Sequence, residues 1–151
     1  MKDNISQARL LALHPRARED FRMFIEDAEA GLNIKLRIAQ GMRTMAEQQA
    51  LYNKGRTTAG AKVTNAKAGS SYHNYGLAID LVVMDGAKAD WNYDMKKLTP
   101  YADKHEIKWG GNWRTFKDTP HFEKTFGIEW REMLKRYQDK NFILNTEYII
   151  L

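Results

Sequence analysis

The chain contains no cysteine among its 151 residues. Disulfides, thiolate nucleophiles and cysteine-ligated zinc or iron–sulfur sites are therefore excluded. Any metal site must use carboxylates and imidazoles, and only four histidines are present: His14, His73, His105 and His121. Long apolar runs are also missing. Segments such as 81–84 and 148–151 are far shorter than the ~20 residues of a membrane span, so we expect no membrane insertion.

The chain also lacks repeats, low-complexity segments and proline- or serine-rich linkers, which predicts a single domain over residues 1–151. Its first residues show no positively charged region followed by an apolar core. We therefore expect synthesis in the cytoplasm without a signal peptide. The formal net charge of +5 favours a polyanionic partner, which could be nucleic acid, an acidic membrane surface or an anionic cell-wall polymer.

The first half of the chain predicts helices and one strand. Apolar residues at helical spacing indicate a helix that Gly31 would end, and alternation over 34–38 indicates a half-buried strand. Thr44 followed by Glu47 is a capping box that would open the next helix. Residues 53–76 are rich in small and polar side chains, and a loop of this length is more often functional than not.

The second half begins with a near-continuous apolar run over 77–84, typical of a central strand buried on both faces. We predict a helix over 93–104, short strands at 106–109 and 121–123, a helix over 128–137, and an apolar tail that is a strand or a docked extension. These elements predict an α+β fold, with a small antiparallel sheet flanked by helices.

Asp80 lies in the middle of the apolar run, where a buried carboxylate costs several kcal/mol unless it is paired or bound to a metal. His73 precedes that strand at the edge of the loop, and Gly76 between them permits a sharp turn. A histidine and an aspartate so placed could converge on one ion. The alternative is an Asp80 paired with a buried lysine or arginine, beside a surface histidine.

A second segment, 118–123, places His121 at the start of a strand, three residues after Asp118. Hydrolytic zinc takes three protein ligands and leaves a fourth position for water. His73, Asp80 and His121 would supply those ligands, and Asp118 would act as general base near the open position. Asp118 could instead cap a turn, and Glu123 is a rival base that could equally face solvent.

These segments resemble the zinc D-alanyl-D-alanine carboxypeptidase type of peptidase. The pattern Ser-x-His-x-x-Gly-x-Ala-x-Asp over 71–80, followed downstream by Asp-x-Pro-His over 118–121, carries the likeness. Segments 41–57 and 109–113, with Phe116, resemble further family motifs, so the likeness covers about 34–122. It is most similar to the L-alanyl-D-glutamate endopeptidase branch, which includes phage lysis enzymes.

The resemblance implies zinc on His73, Asp80 and His121 at the sheet face, with Asp118 as the acid–base carboxylate. It also implies that Arg43 reaches toward a substrate carbonyl or carboxylate, although Arg43 could instead form a structural salt bridge. Ser71 and Gln48 match motif positions that would bind substrate or support these contacts.

The function we predict is zinc-dependent hydrolysis of peptidoglycan stem peptides at the L-Ala–D-Glu bond, as in an endolysin. The alternatives are D-Ala–D-Ala carboxypeptidase activity and a non-catalytic, metal-stabilised binding module. A nucleic-acid binder would leave Asp80 unexplained, so peptidoglycan is the expected partner, bound by a monomer. The enzyme would act on the cell wall, from the host periplasm if a phage encodes it.

Overall fold

A computed structural model describes residues 1–151. Two helices open the chain, and a five-stranded sheet with three further helices follows. The elements, in chain order, are α1 (Asn4–Leu11), α2 (Arg18–Leu32), β1 (Leu36–Gln40), α3 (Met45–Asn53), β2 (Ala78–Asp85), β3 (Lys88–Asp90), α4 (Thr99–Asp103), β4 (Lys108–Trp109), β5 (His121–Glu123) and α5 (Trp130–Gln138). The predicted α+β fold with a small antiparallel sheet is confirmed.

The sheet has the order β1-β2-β5-β4, and β3 also pairs with β2. Every pairing is antiparallel. The apolar run predicted as a central strand is β2, which is buried along most of its length. It pairs with β1 and with β5 inside the sheet, and nearly all of its side chains on both faces are buried, which explains why its sequence is almost continuously apolar.

One face of the sheet packs against α2 to form the main core. Phe21 and Phe24 of α2 have no exposed surface, and the Phe24 ring lies 5.1 Å from that of Phe122 in β5. Truncating a buried phenylalanine of this kind to alanine costs about 3–5 kcal/mol. None of the helices combines the length and apolar character needed to cross a bilayer.

Gly31 does not end α2, as the sequence predicted. The helix continues to Leu32 and ends at Asn33, which adopts the left-handed conformation with φ 52°. Gly31 is small for a packing reason instead, because a Cβ at this position would lie 2.1 Å from the Tyr101 hydroxyl. The glycine therefore permits close approach of α4 rather than a chain reversal.

The continuous helix predicted over 93–104 is also wrong. The segment forms a 3₁₀ turn, Met95–Leu98, followed by the short helix α4. Pro100 lies in the first turn of α4, where its missing N–H and fixed φ are tolerated, but it cannot continue a helix from the preceding residues. The capping box of Thr44 and Glu47, by contrast, forms at the start of α3 as predicted.

The C-terminal tail is a docked extension with a single bridge between Phe142 and Ile149. Ile149 is buried, and its carbonyl lies 2.8 Å from His14 Nε2. His14 itself has no exposed surface. The tail therefore packs against the segment that joins α1 to α2.

Candidate metal centre

Asp80 is the one polar interruption of the apolar part of β2. Its backbone pairs with Gln40 of β1 on one side and with His121 of β5 on the other. The register of β1 shifts between Ile38 and Gln40, beside this position. Sheet pairing alone therefore brings Asp80 and His121 together, although 41 positions separate them in the sequence.

His73 reaches Asp80 from a 3₁₀ turn, Tyr72–Tyr75, that precedes β2. Ser71 caps this turn by accepting a hydrogen bond from the backbone N–H of His73 at 3.3 Å. Gly76 ends it at φ 69°, and a Cβ there would lie 2.5 Å from the backbone nitrogen of His14. Both the positive φ and the close approach require glycine at this position.

The ring of His73 is held in one orientation. Its Nδ1 lies 2.8 Å from the carbonyl oxygen of Gly41, and because a carbonyl can only accept, Nδ1 carries the proton. Nε2 is then left with its lone pair facing Asp80 Oδ1, 3.3 Å away. This is the arrangement in which a metal-ligating imidazole is typically held.

His121 is oriented in the same way by a carboxylate. Its Nε2 donates to Glu123 Oε2 at 2.7 Å, which leaves Nδ1 3.3 Å from Asp80 Oδ1. The ring of Trp113 lies over the imidazole with centroids 4.9 Å apart. Glu123 is 9% exposed, so the prediction that it could face solvent is wrong. Positions i and i+2 of a strand share one face, and that period was the signal for its inward orientation.

His73, Asp80 and His121 each direct one ligand atom to a common point, and these atoms lie within 4.8 Å of one another. Asp80 Oδ1 is buried and accepts no hydrogen bond when both imidazoles carry their protons on the outer nitrogens. Three electron-pair donors thus converge without a donor hydrogen between them. A cation satisfies all three at once, and two imidazoles with one carboxylate suit zinc.

The pKa values of this cluster show the same demand for positive charge. Burial alone would raise the pKa of Asp80, but its hydrogen bonds with His121 and His73 outweigh this effect and hold that pKa well below its usual range. Burial alone would lower the pKa of His121, yet its bonds with Asp80 and Glu123 raise it to about 9. The cluster therefore attracts either protons or a metal cation.

Asp118 lies at the edge of the cluster, with Oδ2 3.9 Å from His121 Nδ1. Burial raises the pKa of Asp118, and the negative charge of Asp80 raises it further. Its backbone N–H donates to the Gly110 carbonyl at 3.2 Å, and a Cβ on Gly110 would lie 2.5 Å from the Asp118 carbonyl oxygen. The Gly110 turn therefore holds Asp118 beside the three side chains that could bind a metal.

Arg43 extends from the segment before α3, and its Nη2 lies 3.9 Å from Asp80 Oδ2. Its Nη1 donates to Gln48 Oε1 at 2.8 Å, and Gln48 Nε2 donates to the carbonyl of Ala66 at 2.7 Å. Arg43 Nε is buried without an acceptor. Gln48 has no exposed surface, so it lies behind Arg43 rather than on the cleft.

The cluster forms the floor of a cleft of about 670 Å³. One wall comes from residues 63–66 and 70–72, and the other from Trp113, Thr115 and Phe116. Ser71 lines this cleft, as do Arg43 and Asp118. Arg43 is the only lysine or arginine among the lining residues. Of the predicted site residues, the structure thus brings all but Gln48 to one open surface.

Comparisons with known proteins agree with the family that the motifs of this chain resemble. A family model for D-alanyl-D-alanine carboxypeptidases matches residues 64–124. The peptidoglycan L-alanyl-D-glutamate endopeptidase CwlK of Bacillus subtilis (strain 168) is 37% identical over 126 residues, covering 74% of this chain and 72% of that protein. The L-alanyl-D-glutamate peptidase of Listeria phage A118 is 31% identical over 94 residues, covering 60% of this chain and 30% of the phage protein.

The fold has been seen before in a solved structure. The L-Ala D-Glu endopeptidase ChiX of Serratia marcescens superimposes with a TM-score of 0.62 at 24% identity, covering 87% of this chain and 91% of that one. The residues that the family model matches run from Thr64 to Lys124 and contain His73, Asp80, Asp118 and His121. The chain belongs to the D-alanyl-D-alanine carboxypeptidase family of metallopeptidases.

Proposed function

We propose that this protein is a zinc-dependent peptidoglycan hydrolase that cuts the L-Ala–D-Glu bond of the stem peptide. The observation that carries the proposal is the convergence of His73 Nε2, Asp80 Oδ1 and His121 Nδ1 on one point at the floor of an open cleft. These three side chains would hold the zinc. The names of the bacterial and phage relatives support the choice of bond.

Zinc, when bound, supplies a Lewis acid for the scissile carbonyl and lowers the pKa of water to near neutrality. Asp118 takes one proton from the attacking water as its oxygen adds to the carbonyl carbon. The same carboxylic acid then returns that proton to the amide nitrogen as the C–N bond breaks, so the products are a carboxylic acid and an amine, which exchange the remaining proton to become a carboxylate and an ammonium group. Burial raises the pKa of Asp118, which suits this carboxyl group to both transfers.

Arg43 would donate hydrogen bonds to the oxygen on which negative charge develops, or to the carboxylate of the D-Glu residue next to the bond. The contact with Gln48 supports a role for Arg43 in stabilising the oxyanion. Its hydrogen bond fixes Arg43 Nη1 and leaves Nη2 directed at Asp80 on the floor of the cleft. Ser71 supports it indirectly, since its cap on the His73 turn orients the first ligand.

The rival reaction within the same family is removal of the terminal D-Ala from a D-Ala–D-Ala end. A carboxypeptidase needs a cation for the free terminal carboxylate, besides the group that stabilises the oxyanion. Arg43 is the only lysine or arginine lining the cleft, so it would have to serve both purposes. This favours an endopeptidase, which accepts peptide on both sides of the bond.

The test is digestion of stem peptides that differ only at their C-terminus, followed by mass spectrometry of the products. We expect a new amino terminus on D-Glu, at similar rates for tripeptide, tetrapeptide and pentapeptide stems. The matched control is Asp118→Ala, which should give no product above background. Release of free D-Ala from the pentapeptide, with the L-Ala–D-Glu bond intact, would replace the endopeptidase by a carboxypeptidase and leave the metal site unchanged.

A further inference from the structure

The positive charge of this protein is concentrated in two segments that contain no carboxylate. Residues 48–79 contain four lysines and arginines and no aspartate or glutamate, and residues 107–117 contain three and none. Together these segments carry more positive charge than the formal net charge of +5, so the remainder of the chain is net negative. The basic residues form no run, but no acidic residue within these segments offsets their charge.

Both segments supply walls of the cleft. Lys62 and Lys67 flank the lining residues 63–66 on one wall, and Arg114 and Lys117 alternate with lining residues on the other. All four side chains are exposed, and none lies within 4.0 Å of a carboxylate. We call these four residues the cationic rim. Their charges are not neutralised within the protein.

Arg56 also lies in the segment 48–79, but its guanidinium contacts the protein itself. Its guanidinium donates to the carbonyls of Tyr52 and Thr64 and stacks over the Tyr52 ring, 4.0 Å from the centroid. It therefore holds the loop that presents Lys62 and Lys67 beside the cleft. On both sides of the cleft, the rim residues belong to the segments that form its walls.

The floor of the cleft has the opposite character, because Asp80, Asp118 and Glu123 lie there. An anionic ligand is therefore attracted mainly to the edges of the cleft. At its centre, only Arg43 and a bound metal would attract an anionic group. A ligand that fits this pattern is an extended polymer with repeated anionic groups, one stretch of which crosses the floor. Peptidoglycan fits if its stem peptides supply the carboxylates, beginning with that of D-Glu.

We propose that the cationic rim binds carboxylates of stem peptides adjacent to the one being cut, and so retains the enzyme on the insoluble polymer. The identity of this polymer rests on the proposed function. Exposed charges of this kind act mainly on the rate of encounter and on salt dependence. The rim should therefore matter for the intact polymer and little for a short soluble peptide.

The test compares Lys62→Gln/Arg114→Gln/Lys117→Gln with a control of equal charge, Lys88→Gln/Lys96→Gln/Lys104→Gln. The control lysines are exposed, unpaired and outside the cleft walls. Both sets are made in an Asp118→Asn background, so that binding to purified sacculi stripped of phosphate polymers is measured by sedimentation without digestion. We expect ~10-fold weaker binding for the rim variant at low salt, the lower end of the range that electrostatic attraction supplies.

The difference should nearly vanish at ~1 M salt, where charges are screened beyond about 3 Å. Amidation of the sacculus carboxyl groups should weaken wild-type binding to the level of the rim variant. Equal binding by rim and control variants would overturn the proposal. So would binding that requires the phosphate polymers, or binding to DNA in preference to sacculi, because the ligand would then be a phosphate.

A soluble stem peptide separates this inference from the proposed function. With Asp118 intact, rim and control variants should cut it at the wild-type rate, because only one stem is present and its neighbours are missing. If no variant, including wild type, cuts this peptide or the sacculi, the proposed function fails, whereas the sedimentation result still decides whether the rim binds carboxylates.

Discussion

Glu123 Oε2 accepts a hydrogen bond of 2.7 Å from His121 Nε2, and this contact turns the other ring nitrogen toward Asp80. Alternation along β5 puts the two side chains on the same face of the strand. Glu123 is therefore better placed to orient a metal ligand than to act as a base. The base would be Asp118, which lies on the other side of the imidazole, near Nδ1.

Glu123 should accordingly affect metal binding more than it affects proton transfer. Glu123→Leu removes the acceptor for His121 Nε2, and we expect zinc affinity to fall ~10–100-fold, as for other groups that orient metal ligands. Glu123→Gln retains an acceptor oxygen and should be mild. Competition with a chelator of known affinity measures both. Wild-type zinc affinity in Glu123→Leu, accompanied by lost activity, would make Glu123 the acid–base group.

The metal itself should be stoichiometric. Purified protein should contain about one zinc per chain, as a three-ligand hydrolytic site requires. His73→Ala, Asp80→Ala and His121→Ala should each lower that content strongly, whereas His105→Ala, which lies beside Asp27 and outside the cluster, should not. Elemental analysis after gel filtration measures the content. Hydrolysis of wall fragments at the full rate after exhaustive chelation would contradict the proposed dependence on zinc.

Zinc removal should also lower the melting temperature, because a ligand that binds only the folded state stabilises it. The contacts of Asp80 with His73 and His121 explain why zinc removal should lower the melting temperature. Without the cation, the buried Oδ1 of Asp80 can accept a hydrogen bond from His121 while that imidazole is protonated. We expect the loss of stability on chelation to be greater at alkaline pH, above the pKa of about 9 of His121, than at neutral pH. Calorimetry at the two pH values checks this.

Asp118 should be needed for catalysis but not for zinc. Asp118→Ala removes the group that would move the proton, and general acid–base groups typically contribute ~10²–10⁴-fold. We expect a loss of kcat in this range, with zinc content and melting temperature close to those of wild type. Steady-state rates on a soluble stem peptide, with metal analysis of the same samples, test both statements. Loss of zinc in this variant would make Asp118 a ligand.

Gln48 should act through Arg43. Gln48→Leu removes the acceptor for Arg43 Nη1 and the donor to the Ala66 carbonyl, so the guanidinium and the cleft wall both lose a fixed contact. Small misplacements of this kind cost up to ~10²-fold, and we expect kcat/KM to fall while zinc content stays the same. The matched control is Gln49→Leu on the same helix, since Gln49 contacts Asn53 and Ala68 instead.

His14 should make stability depend on pH. Burial lowers the pKa of His14 and outweighs the hydrogen bond with the Ile149 carbonyl, which raises it, so the folded protein binds this proton less readily than the unfolded chain. The unfolded state then takes up more protons as pH falls below about 6.5, and the free energy of unfolding decreases. His14→Gln should flatten the dependence of urea midpoints between pH 7 and 5. An unchanged slope would show that the tail tolerates a charged His14.

Several features of this protein could be predicted from the sequence because each depends on neighbouring residues. A carboxylate within an apolar run marks Asp80 as needing a partner, whatever the fold around it. The capping box at Thr44 is a contact between residues three apart, and it forms. The spacing around His73 and His121 carries the family resemblance, and the comparisons confirm that family.

Other features were decided only by contacts between distant parts of the chain. Glycine often ends a helix, but the role of Gly31 depends on Tyr101, seventy positions away. Which nitrogen of His73 faces Asp80 depends on the Gly41 carbonyl, and the buried state of His14 depends on the C-terminal tail. Local sequence determines what a residue is able to do. Tertiary packing determines which atoms it meets, because hydrogen bonds and burial depend on partners that local patterns do not contain.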